Sequence, residues 1–175
     1  RCLSSLVEHL TSVAWHAVVV DNASTDGSDR IVARFAPHVS LLSNRENLGF
    51  GRAINQGVSA TSSDLLLFIN PDGQLLSGAV EGLCSELQCH PECAIVGPQI
   101  VNDDGRMQGS ARGDPDMLTG FFGRSTWLTR RFPRAAFARR NVATGLEPKP
   151  GESGVDVDWV SGACMMMRRD VFKSL

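Results

Sequence analysis

Asp64-Leu65-Leu66-Leu67-Phe68-Ile69-Asn70-Pro71-Asp72 is an apolar run too short for a lone helix, bounded by carboxylates and stopped by a proline. A continuous apolar run of this length between polar ends suits a strand covered on both faces, as in a parallel sheet. Proline has no N–H to donate and fixes its own φ, so Pro71 ends the ladder. Ligands of open α/β sheets bind beyond the carboxyl ends of the strands, which puts Asn70 and Asp72 where chemistry is usually done.

The same grammar recurs on both sides. Upstream, Leu3, Leu6, Val7 and Leu10 make a helical stripe, and Ala17 to Val20 is a β-branched run ending at Asp21-Asn22. Ala23 to Ser28 is turn and cap chemistry before a helix carrying Ile31, Val32 and Phe35. A third strand over Val39 to Leu42 precedes Asn47-Leu48-Gly49-Phe50-Gly51, a glycine-rich entry to a helix that continues to about Ala60. Glycines there either let backbone N–H groups approach an anion or merely allow close helix packing. Downstream come a helix with Ala79, Val80, Leu83, Cys84 and Leu87, a strand at Ala94 to Gly97, and an extended piece turning at Asp104-Gly105. Alternation of this kind predicts an α/β sheet, largely parallel, through about Val101. Val155 to Ser161 alternates with period two and Gly162 to Met167 is wholly apolar, so both read as strands, with Asp170 capping a last helix from Val171. Three consecutive methionines read as core filler.

Composition narrows the function. The 175 residues are 42% hydrophobic and 21% charged, ordinary for one soluble domain, and no run reaches membrane-spanning length. Five irregularly spaced cysteines argue against a disulfide framework, and Cys89-His90-Pro91-Glu92-Cys93 lacks a second pair at zinc-finger spacing. Net charge is −2, yet eight arginines between Arg106 and Arg140 face only Asp114 and Asp116 there, which points to an anionic partner at one face. Aromatics interleaved with these arginines suit an anionic membrane surface or an acceptor diphosphate, or else fold under a surface loop. Nucleic acid is disfavoured by the acidic whole and the lack of a recognition motif.

Asp21 and Asp72 thus stand at the carboxyl ends of two strands, with the glycine-rich turn between them in sequence. One aspartate beside a hard divalent cation, with phosphate oxygens and waters completing the shell, is a usual way to hold Mg²⁺ or Mn²⁺. The bland alternative makes each aspartate a helix cap. A dinucleotide fingerprint fails because Ile54 stands where its third glycine belongs, and no Walker lysine motif or Ser-His-acid set is present.

Four ordered motifs carry a resemblance: Val18 to Ser28, Asn47 to Gly57, Leu66 to Asp72, and Asp158 to Arg169. Together they resemble the GT-A-fold inverting glycosyltransferases of family 2, especially the bacterial rhamnosyltransferase-like branch. The resemblance implies a Rossmann-like, mostly parallel sheet with helices on both faces. It also implies transfer of a sugar from a dTDP-, UDP- or GDP-linked donor to a glycan or lipid-linked acceptor, in polysaccharide or cell-wall synthesis. Asp21 would bind the nucleobase, with Asn22 and Ser24 near the nucleotide and Asn47 and Gly49 lining the donor pocket. Asn70 and Asp72 would stand for the usual Asp-x-Asp, Asp72 holding Mg²⁺ or Mn²⁺, while Trp159, Gly162 and Ala163 would wall the acceptor side.

Members of that family begin with an apolar central strand and carry an aspartate general base after the Gly-Ala strand and its helix. Neither lies between Arg1 and Leu175, so the expectation is an internal fragment lacking the first strand and the C-terminal part, inactive alone, with its base beyond Leu175. Within it, 1–105 is expected to be the nucleotide-binding half, 106–154 a variable acceptor-side segment and 155–175 the start of the acceptor half. The expected location is the cytoplasm, with peripheral contact at the inner membrane face through 106–140. The competing functions are a catalytically inactive nucleotide-binding module and a sugar-nucleotide-forming nucleotidyltransferase, the latter disfavoured by the lack of a basic glycine-rich first loop.

Overall fold

The computed structural model describes residues 1–108, 111–112 and 153–175, with the backbone alone at 111–112. Helix α1 (Cys2–His9) leads to β1 (Ala17–Asp21), a short α2 (Ser28–Val32) with one 3₁₀ turn after it, and β2 (Val39–Ser43). Then follow α3 (Phe50–Ser59), β3 (Leu65–Ile69), α4 (Ala79–Cys89) and β4 (Ile95–Val96). Ile100–Val101 (β5) and Met107–Gln108 (β6) form a hairpin, Ala111–Arg112 (β7) pairs with Trp159–Val160 (β8), and β9 (Cys164–Arg168) runs into α5 (Arg169–Ser174).

β1 and β2 are parallel, in the register Ala17↔Val39 to Asp21↔Ser43. β9 enters antiparallel between β3 and β4, so those two strands run parallel to each other on either side of it. The sequence reading of a largely parallel arrangement therefore holds for the order of strands through Val96, and the Gly-Ala strand is its antiparallel insertion.

Pleating explains why the central run is apolar throughout. Leu65, Leu67 and Ile69 pack on a cluster built from Leu6 of α1, Leu10 just past its end, Leu75, and Val80, Leu83 and Leu87 of α4. Leu66 and Phe68 point the other way, onto Ile54 and Val58 of α3 and Phe172 of α5. The same alternation sends Met166 to the first cluster and Met167 to the second, at 2% and 3% exposure. The buried ones, such as Leu66, Met166 and Met167, contribute roughly 1.5–3 kcal/mol each by leaving water, and the half-buried ones less. Three layers result: α1 and α4, then β3-β9-β4, then α3 and α5.

Two arginines at the β9–α5 junction tie the layers down. Arg168 donates to the carbonyls of Leu87 (3.2 Å), Pro91 (2.7 Å) and Cys93 (2.7 Å), closing the end of α4 and its link to β4. Arg169 donates to Val58 O (3.0 Å), Thr61 Oγ1 (2.6 Å) and Ser63 O (2.5 Å), doing the same for α3. Carbonyls at a helix end have no partner within the helix, and a five-donor guanidinium satisfies several at once.

Two expectations and one alternative are corrected here. The period-two pattern at Val155 to Ser161 yields strand only at Trp159–Val160. The last helix starts at Arg169, not Val171, leaving Asp170 inside its first turn. Helix α4 begins seven residues after Asp72 with Gly78 as its N-cap, so Asp72 caps nothing.

Candidate functional site

Helix α3 fixes the direction of both aspartate-bearing strands. Its first turn lies near Asn22, just past β1, while Gly57 near its end backs Val20, a Cβ there coming 3.5 Å from Val20 Cγ2. At the other strand Arg169 gives its backbone N–H to Asp64 O, just before β3, and its guanidinium to Val58 O and Thr61 Oγ1, so the C-terminal end of α3 sits by the start of β3. Both β1 and β3 therefore run opposite to α3, and their carboxyl ends open on the same side as its N-terminus.

At the end of β1, Asp21 is half-buried and its Oδ1 accepts the Ser24 N–H at 3.0 Å, closing a tight turn over Ala23. Ala23 sits at φ 65°, a left-handed conformation that costs a residue with a Cβ about 1 kcal/mol. Asn22 leans inward: its Oδ1 accepts from Asn44 Nδ2 at 2.8 Å and its own Nδ2 reaches Gly49 O at 3.5 Å. Asn47 Oδ1 accepts the Gly49 N–H at 2.9 Å. Gly49 itself adopts φ 82°, ψ 167°, open to glycine alone. Phe50 follows with its ring 60% exposed at the mouth of the turn.

At the end of β3, Asn70 donates its N–H to Ala163 O at 2.8 Å, and the Gly73 N–H closes a turn onto Asn70 O at 3.0 Å. Pro71 and Asp72 occupy the two corners of that turn, and Asp72 is exposed. A Cβ at Gly73 would lie 3.2 Å from Ile69 Cγ1, so the turn is drawn tightly onto its own strand. Ser5 braces the segment behind it, donating to Cys2 O (2.7 Å) and accepting the Leu75 N–H (3.0 Å). Gly162 is exposed, and Trp159 is 38% exposed on β8.

The structure thus gathers the predicted residues into two groups: Asp21, Asn22, Ser24, Asn47 and Gly49 around the start of α3, and Asn70, Asp72 and Ala163 around the β3 turn. Asn44 and Gln56 join the first group without having been singled out in the sequence. The parallel register accounts for Asn44: Asp21 pairs with Ser43, so Asn22 and Asn44 each stand one residue past a paired end. Among the described residues no cluster of three or more His, Cys, Asp or Glu could by itself hold a metal ion. An exposed lone carboxylate such as Asp72 instead suits a hard cation whose remaining positions are filled by phosphate oxygens and water. Most of the arginine-rich stretch 106–140 lies outside the described residues. Among those described, no helix is long and apolar enough to cross a membrane.

The family model described as glycosyl transferase family 2 matches residues 1–175. The chain belongs to that family. An N-acetylglucosaminyl-diphospho-decaprenol L-rhamnosyltransferase of Mycobacterium tuberculosis is 30% identical over 166 residues, covering 89% of this chain and 52% of that protein. A dolichyl-phosphate beta-glucosyltransferase of Trichomonas vaginalis is 25% identical over 116 residues, 62% of this chain and 33% of its own length. This family 2 chain spans about half the length of the mycobacterial relative. Family membership carries the GT-A fold with it, as the strand order and the two helical layers bear out.

Proposed function

We propose that this chain supplies the donor-binding half of a glycosyltransferase that moves a sugar from a nucleotide diphosphate sugar to a glycan or lipid-linked acceptor with inversion. What supports this most is that β1 and β3, each ending in an aspartate-bearing turn, open toward the N-terminal end of α3 in a family 2 chain.

Asp21 would receive the nucleobase edge, with Asn22 and Ser24 beside the nucleoside and the Asn47–Gly49 turn lining its pocket. Asp72, flanked by Asn70, would hold Mg²⁺ or Mn²⁺, which when bound offsets charge on the departing diphosphate. In the transfer the acceptor hydroxyl oxygen bonds to the anomeric carbon. The bond from that carbon to the diphosphate oxygen breaks, its electron pair leaves with the nucleoside diphosphate, and the acceptor proton passes to a carboxylate base. Trp159, Gly162 and Ala163 would face the acceptor, Ala163 being tied to the Asp72 turn through Asn70. The names of both relatives contain a polyprenyl carrier, which favours a lipid-linked acceptor, and the first favours a rhamnosyl-type donor sugar. Contact of residues 106–140 with an anionic membrane face would deliver such an acceptor.

Calorimetric titration of the full-length gene product with UDP, dTDP and GDP, each with and without Mn²⁺, tests the donor site. Metal-dependent binding of one nucleotide, lost in Asp72→Ala, is the expected result. A folded protein that binds none of the three sinks the reading.

A further inference from the structure

Asn44 lies just past the end of β2 and Gln56 on the second turn of α3. Their side chains form a closed exchange. Asn44 Nδ2 donates to Gln56 Oε1 at 2.9 Å, and Gln56 Nε2 donates back to Asn44 Oδ1 at 2.9 Å. The second hydrogen of Asn44 Nδ2 goes to Asn22 Oδ1 at 2.8 Å. Asn44 thus spends both donor hydrogens and its acceptor oxygen on two fixed partners, all three residues being half-buried. From Asn22 the chain of amides continues to Gly49 O, and Asn47 holds the Gly49 N–H. One uncharged network therefore links the ends of β1 and β2 to the turn that opens α3.

We infer that Asn44 and Gln56 are positioning residues for donor binding, acting on the ligand only through Asn22 and the Gly49 turn. The inference rests on the donor-site reading above, in which the Asp21–Asn22 edge receives the nucleoside. Two physical points carry it. Asn22 is adjacent in chain to Asp21, so locking its side chain inward fixes the backbone that aims the Asp21 carboxylate. The lock is also neutral, so the network itself does not titrate. A satisfied amide network in a half-buried site holds one geometry because each group that turns away leaves its partner unpaired.

The test is a thermodynamic cycle on nucleotide affinity, measured by calorimetry with the nucleotide that the wild type binds and with urea stability recorded for every variant. Asn44→Ala is expected to weaken binding about tenfold, the worth of one or two hydrogen bonds. In an Asn22→Ala background the same change should add less than twofold, since Asn44 then has nothing to position. Asn44→Asp, equal in size but without the donating amide, should behave as Asn44→Ala and serves if the latter does not fold. Gln56→Glu, which keeps the acceptor for Asn44, should lose less than Gln56→Ala. In turnover the loss should fall on donor KM and leave kcat nearly unchanged. Wild-type affinity in Asn44→Ala, or an equal loss in both backgrounds, overturns the positioning role while Asp21→Ala still abolishes binding. Absence of binding by the wild type removes the donor-site reading and this inference with it.

Discussion

Ala23 is the residue whose backbone costs most at the proposed donor edge, because the Asp21–Ser24 turn needs a positive φ from a side chain that resists it. Ala23→Gly removes that strain while adding the usual entropic cost of glycine, so it should be neutral or stabilising by up to about 1 kcal/mol. The same change at Ala53, inside α3, should instead cost about 1 kcal/mol. Urea midpoints of the two variants check this, and equal losses would sink it. At this scale the sequence was only half legible. Asp21 and Asp72 announced themselves by standing at the ends of apolar runs, and Gly49 by its motif. Asn44 and Gln56 did not, because an isolated amide carries no pattern and their pairing depends on a parallel register that appears only in three dimensions. Arg168 and Arg169 were legible as part of a motif, but their work is done on the carbonyls of helices far away in sequence.

At the level of elements, the end of α4 gathers several titrating groups. His90 is raised above its ordinary 6.5 by its hydrogen bond to Glu92, helped by the charges of Glu86, Glu92 and Asp156. Glu92 is held below its ordinary 4.5 by its own backbone and by the His90 ring. The returning chain closes on the same spot, Ser153 donating to Glu86. A raised histidine favours the fold while protonated, so its contribution is complete below 6.5 and fades as pH climbs through the raised value. Glu92 contributes in the opposite sense and fades as pH falls through its lowered value, which places the cluster at its strongest between about 4.5 and 6.5. The urea midpoint should therefore drop more steeply from pH 6 to 8 in the wild type than in His90→Gln, and parallel curves would refute it. The elements themselves were readable wherever burial on both faces forced an unbroken apolar run, as at Leu65 to Ile69. The reading overextended at Val155 to Ser161 because alternation by itself cannot say whether a neighbouring strand is there to pair. Only Trp159 and Val160 find one, in β7.

For the molecule as a whole, the thiols report how tightly the layers close. All five cysteines are unpaired thiols, with Cys2 and Cys164 buried and Cys89 exposed. Burial, with Cys2 nearby, pushes Cys164 up to about 11, and burial raises Cys2 as well. Since the thiolate is the reactive form, an aromatic disulfide reagent at pH 8 should modify Cys89 in a fast phase and reach Cys2 and Cys164 only at the rate of global opening. Fast modification of all five in the native protein would show that the layers do not close as described. The β7–β8 ladder adds a different kind of lesson. Its pairs Ala111↔Val160 and Arg112↔Trp159 bring the two ends of a long excursion side by side, like the neck of a purse. Closing such a neck costs only about 0.6 kcal/mol more for each doubling of the length it encloses. The ladder can therefore hold its register whatever length of chain runs from 112 to 159, at little entropic cost to the strands on either side.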